Sequence, residues 1–242
     1  MIQEEANRLV EQILPYERSL FLWLNDSHNI FFDSFMWIYS EKLTWIPLAI
    51  VALGVFTYKV KWQYAVLFIL CLGLLATLCD QLSAGLIKSY FERYRPSHHP
   101  DYEDIVRTLN NYRGGRYGFI SAHAANGFGI ATFLSLVFRY KRFTIVALSW
   151  AFVSAYSRIY LGVHFISDII GGMMLGCLLG VLVFMLFIYC RKKILRQNEE
   201  QLRMRYYSIL RGNILLGTIV VLVITIFIIS WLNFMYGFGW IY

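Results

Sequence analysis

Two histidines, three cations and one aspartate stand in short groups along this chain, at spacings that suit phosphoryl transfer. Lys88 is followed seven residues later by Arg95 and then Pro96. Ser121-Ala122-His123 comes next, and Ser157-Arg158 is followed by His164 and, four residues on, Asp168. Positions i and i+4 are neighbours on a helix, so Asp168 can accept a hydrogen bond from His164. Such a carboxylate fixes the imidazole tautomer and stabilises the positive charge that develops when the ring acts as nucleophile or base. His123 is then free to protonate a leaving oxygen. Lys88 and Arg95 are two helical turns apart and point the same way on a continuous helix, which Pro96 then ends. With Arg158 they offer donors that match phosphate oxygens and offset a dianion. Each group alone has a plainer reading: snorkelling cations, a chance Ser/His pair, a structural ion network. Their occurrence together favours a site.

The elements that must position these residues belong to a membrane. Of 242 residues, 58% are hydrophobic and 15% charged, against about 45–50% and about 25% in soluble domains. So few charges cannot cover the surface of one large soluble core. Disorder, collagen and small disulfide scaffolds are excluded as well. Six apolar stretches of spanning length fall near 36–58, 62–87, 119–138, 143–163, 165–190 and 213–234. The first carries Glu41 and Lys42 near its start, which puts its expected beginning closer to Leu43. Residues 1–14 place Ile2, Ala6, Leu9, Val10 and Ile13 opposite Glu4, Glu5, Arg8 and Glu11, the pattern of an interfacial amphipathic helix ended by Pro15. The expected fold is all-α: a polytopic integral membrane protein with six transmembrane helices and an N-terminal amphipathic helix. It forms one domain over 1–242, in which 1–35 is an interfacial segment and 88–168 carries the chemistry.

Basic residues set the orientation. Twelve of the 22 Lys and Arg lie in three connections, Tyr58–Trp62, Val137–Phe143 and Cys190–Asn213, opposed only by Glu199 and Glu200. By the positive-inside rule that side is cytoplasmic. The long polar loop Ser89–Gly118, the His164 junction and both ends of the chain then face outward, as in an inner-membrane enzyme with a periplasmic site. The net charge of +7 is therefore a topology signal, with no nucleic acid implied and no obligate protein partner. Met1–Asn7 lacks the apolar core of a secretory signal. Cys71, Cys79, Cys177 and Cys190 lie in or at the ends of apolar stretches without metal-ligand spacing, so they are packing residues. His28, His98 and His99 are expected to be interfacial or solvated. Neither a metal nor a cofactor is expected, because no ligand set stands on the outer face.

Lys88-x6-Arg95-Pro96, Ser121-x-His123 and Ser157-Arg158-x5-His164-x3-Asp168 together resemble the three-part signature of the type 2 phosphatidic acid phosphatase (PAP2) family. The first and third parts match completely. The second departs, with Ile120-Ser121-Ala122-His123 where the family has Pro-Ser-Gly-His, so a Cβ stands beside the backbone N–H of residue 122. The resemblance implies a six-helix enzyme that hydrolyses lipid phosphates without a metal. It implies that His164 is the nucleophile of a phosphohistidine intermediate, Asp168 its orienting partner and His123 the general acid. Lys88, Arg95 and Arg158 become the phosphate clamp, completed by Ser121 and the Ala122 backbone. Among lipid phosphates the first expectation is undecaprenyl diphosphate, the alternative lipid A or phosphatidylglycerophosphate and phosphatidate. Outside enzymes, a multi-pass transporter or an inactive scaffold is the competing class. The family also resembles vanadium haloperoxidases, which are soluble, unlike this composition.

Overall fold

In the computed structural model, which describes residues 2–237, every helix or strand assigned among the described residues is helical. Helices satisfy their own backbone groups, as a hydrocarbon environment demands. The chain runs α1 (Ile2–Glu11), α2 (Leu14–Asn25), α3 (Ile30–Ser40), α4 (Ile46–Thr57), α5 (Trp62–Asp80) and α6 (Lys88–Phe91), then α7 (Ala122–Phe138), α8 (Lys141–Tyr160), α9 (Ile166–Lys193), α10 (Glu199–Arg203) and α11 (Ile209–Tyr236). Three helices are long and apolar enough to cross a membrane: Trp62–Phe91, Ile166–Lys193 and Ile209–Tyr236. Ile30–Ser40 and Lys42–Thr57 would add a fourth as one span bent by 66°. Helices so apolar place the protein in the membrane.

The centre of the bundle is α7 packed along α9, with α5 and α8 on either side. A Cβ at Gly172 or Gly176 would run into the carbonyl oxygens of Ser121 and Ala125. Glycine at these two places lets the backbones of α7 and α9 approach closely, as small residues do between membrane helices. The contact brings the start of α7 against the start of α9, where the Ser121 N–H donates to the Asp168 carbonyl at 3.0 Å. Below it, Phe68, Leu75, Phe133 and Phe187 are completely buried.

Four expectations change. The stretch 36–58 is not one straight helix: Glu41 interrupts it, and a 3-10 turn over Lys42–Trp45 leads into α4. Pro15 sits in the first turn of α2 instead of ending a helix, a place where its missing N–H is no loss. Residues 1–35 are no uniform interfacial segment. Ala6, Val10, Leu14, Phe21 and Asn25 are buried against protein, while Leu9 and Ile13 remain exposed. Finally, His28 and His99 are tied inward: His28 pairs with Asp33 at 2.7 Å and lies against the Tyr160 ring, and His99 meets Glu11 at 3.0 Å beside Phe165.

The Ser89–Gly118 loop is held as firmly as a helix would be. Asn25 donates to the Arg107 carbonyl at 3.0 Å and accepts from its N–H at 2.8 Å. Tyr102 is buried between Phe21 and Phe165. The Ser97 hydroxyl donates to the Arg113 carbonyl at 2.8 Å.

Candidate active site

The start of α9 positions His164 and Asp168. Phe165 is its N-cap and Asp168 lies in the first turn, where a carboxylate suits the exposed N–H groups. Asp168 Oδ2 accepts the Phe165 N–H at 3.0 Å and faces His164 Nδ1 at 3.2 Å. The expected His164–Asp168 bond therefore exists, although His164 precedes the helix. On the other side of the ring, Nε2 is 3.0 Å from Arg95 Nη1. A guanidinium can only donate, so Nε2 carries a lone pair and Nδ1 carries the proton. His164 is thus held as the neutral tautomer, with its Nε2 lone pair turned to the Arg95 guanidinium. Both residues are buried.

Lys88 and Arg95 come together by a different route from the expected one. Beyond α5 the chain winds as a π-helix over Gln81–Ile87, which turns Lys88 relative to a regular helix. The helix stops at Phe91, and Glu92 takes left-handed backbone (φ 48°). Arg95 lies past this reversal on an extended stretch, where Tyr94 bridges Tyr117. Pro96 opens a 3-10 turn and ends nothing. Arg95 donates from Nε to the Tyr117 carbonyl at 3.1 Å and from Nη1 to the Val163 carbonyl at 3.0 Å. It is buried, which removes the snorkelling reading.

Arg158, also buried, donates to the Tyr112 hydroxyl at 2.9 Å and to Ser40 Oγ at 3.4 Å, while its Nε has no hydrogen-bond partner among the described residues. Ser121 caps α7 by accepting the Ala124 N–H at 3.4 Å, leaving the first-turn amides of Ala122 and His123 at a positive helix end. Lys88, Arg95, Ala122 and His123 share one cleft of about 720 Å³. The same cleft continues past Asp80, Asn126 and Trp150. His164 stands behind Arg95 rather than on the cleft wall.

Four contributors were not foreseen. Arg93, completely buried, makes an ion pair with Asp168 Oδ1 and donates to Ser167 Oγ at 2.8 Å and the Val10 carbonyl at 3.1 Å. Its guanidinium lies over the rings of Phe119 and Phe165, at 4.9 and 5.2 Å. Glu17 accepts from Ser167 N and Oγ at 2.7 and 2.6 Å. Burial raises the Glu17 carboxyl above its ordinary range, opposed by these two bonds and then by Arg93. Tyr112 steadies Arg158, and Lys42 lines the cleft. The one sequence signal was Arg93, an arginine beside a site. The others come from segments far along the chain.

Asp168 makes its ion pair with Arg93, so it reaches Lys88 and Arg95 only through its longer-range field. Lys88, Arg95 and Arg158 converge with no acid partner of their own among the described residues, and the loop above feels their charge. Burial, then Arg113 and Arg95, holds the His98 imidazole below its usual range.

The family comparison decides the class. The PAP2 superfamily model matches residues 43–192. The chain belongs to the PAP2 superfamily. It is 42% identical over 184 residues to a lipid A 4'-phosphatase of Porphyromonas gingivalis, covering 76% of this chain and 78% of the relative. A lipid A 4'-phosphatase of Bacteroides thetaiotaomicron is 33% identical over 169 residues, 69% of this chain and 75% of that one. The crystal structure of Aquifex aeolicus LpxE superimposes with a TM-score of 0.54 at 25% identity, covering 70% of this chain and 95% of the other. By family this PAP2 protein is a membrane phosphatase.

Replacing Lys88, Arg95 or Arg158 by Ala should each lower kcat/KM by about 10²-fold or more, as loss of a preorganised charge donor does. No group of three His, Cys, Asp or Glu that could hold a metal ion occurs among the described residues. Phosphate release in excess EDTA should therefore match the untreated rate, and orthovanadate should inhibit as a five-coordinate mimic. Activity that EDTA removes and Mg²⁺ restores would overturn the clamp assignment.

Proposed function

We propose that this PAP2 protein hydrolyses a lipid phosphate monoester at the outer face of the membrane, with the lipid A 4'-phosphate class as substrate. The single observation that carries the substrate choice is the polar wall of the cleft. Beside the clamp end, Asn126 Nδ2 donates to Asp80 Oδ1 at 3.2 Å, and both line the cavity that holds Lys88 and His123. A glucosamine headgroup has hydroxyls and an amide to satisfy such groups. An isoprenoid diphosphate has no such groups to offer this wall. The names of the relatives favour the same choice over undecaprenyl diphosphate.

The chemistry follows from the tautomer. His164 Nε2 attacks phosphorus as Arg95 transfers its donors to the phosphate oxygens. The bond from phosphorus to the lipid oxygen breaks, and His123, able to hold a proton once the phosphate dianion offsets the cations around it, gives that oxygen its proton. Asp168 stabilises the imidazolium character of the phosphorylated ring. Water then attacks phosphorus and loses its proton to His123, the P–N bond breaks, and inorganic phosphate leaves. His123, which makes no hydrogen bond among the described residues, is free to serve both halves.

Six crossings fit this reading: the bent pair α3–α4, then α5, α7, α8, α9 and α11. The twelve-cation asymmetry orients the site toward the periplasm of an inner-membrane protein. Cysteines introduced at Asn110 and Asn198 should label oppositely in intact cells with a membrane-impermeant thiol reagent, Asn110 from outside. Labelling of Asn198 from outside would reverse the orientation.

The substrate test is phosphate release from purified protein against lipid A, phosphatidylglycerophosphate, phosphatidate and undecaprenyl diphosphate. Lipid A should give the highest kcat/KM, and Asp80→Asn should lower that value while sparing phosphatidate. Preference for undecaprenyl diphosphate in both proteins would sink the choice.

A further inference from the structure

At the end of the bundle opposite His164 lies a second concave site. Asp168 and Arg191 stand near the two ends of α9, roughly 35 Å apart at 1.5 Å per residue. Around Arg191 a cavity of about 390 Å³ is lined by Lys59, Lys61, Arg191, Arg205 and Arg211, with no Asp or Glu in its wall. Two of these cations are part of the framework. Arg191 is buried against the Tyr206 ring at 4.6 Å and donates to the Gln201 carbonyl at 3.1 Å. Arg211 donates to the carbonyls of Val55 and Tyr58, the latter at 2.7 Å. Lys61 and Arg205 are exposed and make no ion pair or hydrogen bond among the described residues, and Lys59 only rests on the Tyr58 ring. Glu199, the acid on the neighbouring turn, is already paired with Lys192.

Like charges crowded in a cavity repel one another unless an anion joins them. The positive-inside rule explains cations on this side of the membrane, yet it does not require a cavity. Nor does it explain what adjoins the cavity. A second hollow, about 530 Å³, shares Lys59, Ser208 and Arg211 with the first. Its remaining wall is Val51, Gly54, Val55, Tyr58, Leu210 and Ile214, from α4, α11 and their ends. A cationic cup thus opens onto an apolar groove. An inorganic anion would use only the cup, whereas a phospholipid has a part for each.

We propose that the cup formed by Lys59, Lys61 and Arg205, with the α4/α11 groove beside it, binds one anionic phospholipid. Its phosphate lies on the cations and an acyl chain along Val51, Gly54 and Ile214. The site is independent of the catalytic reading, because none of its residues belongs to the phosphatase machinery.

The test uses the full-length protein in a neutral detergent. Bound lipid is counted by native mass spectrometry, and melting temperature is followed as lipid is added. Dioleoyl phosphatidylglycerol should form a one-to-one adduct and raise the melting temperature, and dioleoyl phosphatidylcholine should do neither. Changing Lys61→Gln and Arg205→Gln together should weaken the adduct roughly thirtyfold, as expected when two cations are lost at an anionic surface. Both residues are exposed, so retained phosphate release confirms that this variant folds. Gly54→Leu should also weaken it by filling the groove, since a Cβ there meets no other atom. Equal binding of phosphatidylcholine, or full binding by the double Gln variant, overturns the proposal. Stabilisation by inorganic phosphate as strong as that by phosphatidylglycerol, with no effect of Gly54→Leu, overturns it in favour of a simple anion site.

Discussion

His164→Ala will abolish turnover and leave no phosphoenzyme to trap, while His123→Ala will slow turnover and still allow trapping. The two rings differ in their surroundings, and the proposed roles rest on that difference. His164 Nδ1 faces Asp168 and its Nε2 meets a guanidinium that can only donate. This ring therefore enters the reaction with a defined lone pair. His123 lines the cleft beside Lys88 with no such bracing. Removing a nucleophile removes the covalent path, whereas removing a proton donor leaves the attack intact and typically costs about 10²–10⁴-fold. The two are separated by rapid acid quench after mixing with ³²P-labelled substrate, read as label retained on protein. A substrate with an acidic leaving group should narrow the His123→Ala deficit, since its oxygen needs no proton. It should leave His164→Ala inactive. Label retained on His164→Ala, or none on His123→Ala with the activated substrate, would exchange the assignments.

Most of the candidate residues could be picked out of the sequence because ionisable residues are scarce in apolar helices and stand out there. His164 and Asp168 also lay close enough in sequence for their contact to be foreseen, and it is present. The route taken by Lys88 and Arg95 was not legible. Helical periodicity placed them on one face, but the helix ends at Phe91 and a left-handed Glu92 intervenes. These backbone changes rest on packing between α5, α7 and α9, to which local spacing is blind. The break at Glu41, by contrast, was marked by two charges, Glu41 and Lys42, inside an apolar stretch. Exposed apolar faces such as that of α5 announced the membrane, whereas Glu17 and Tyr112 reach the site from segments far along the chain. No periodicity connects such partners.

Arg93 is the clearest case of a residue the pattern passed over, and its replacement should have the second-largest effect. It lies between Lys88 and Arg95, yet it points away from the cleft and into protein. There its guanidinium bridges Asp168, Ser167 and the Val10 carbonyl. Through Ser167 the network reaches Glu17 on α2. Arg93 therefore holds the carboxylate that aims His164 and fastens the N-terminal helices over the start of α9. Arg93→Ala would leave Asp168 buried with one cation fewer. Breaking a buried pair by removing one partner costs about 3–5 kcal/mol. The purified variant should melt well below the parent. Its single-turnover phosphorylation should slow, because Asp168 can rotate off His164 Nδ1. KM should change little, since Arg93 is completely buried and lines no part of the cleft. Arg93→Lys keeps the charge and loses the planar fork, so it can satisfy Asp168 or Ser167 but not both at once. It should recover much of the melting temperature and less of the phosphorylation rate. A purely structural residue would let both recover together. If Arg93→Ala phosphorylates at the parental rate below its melting temperature, Asp168 is positioned without it, and the network serves only to fasten the N-terminal helices.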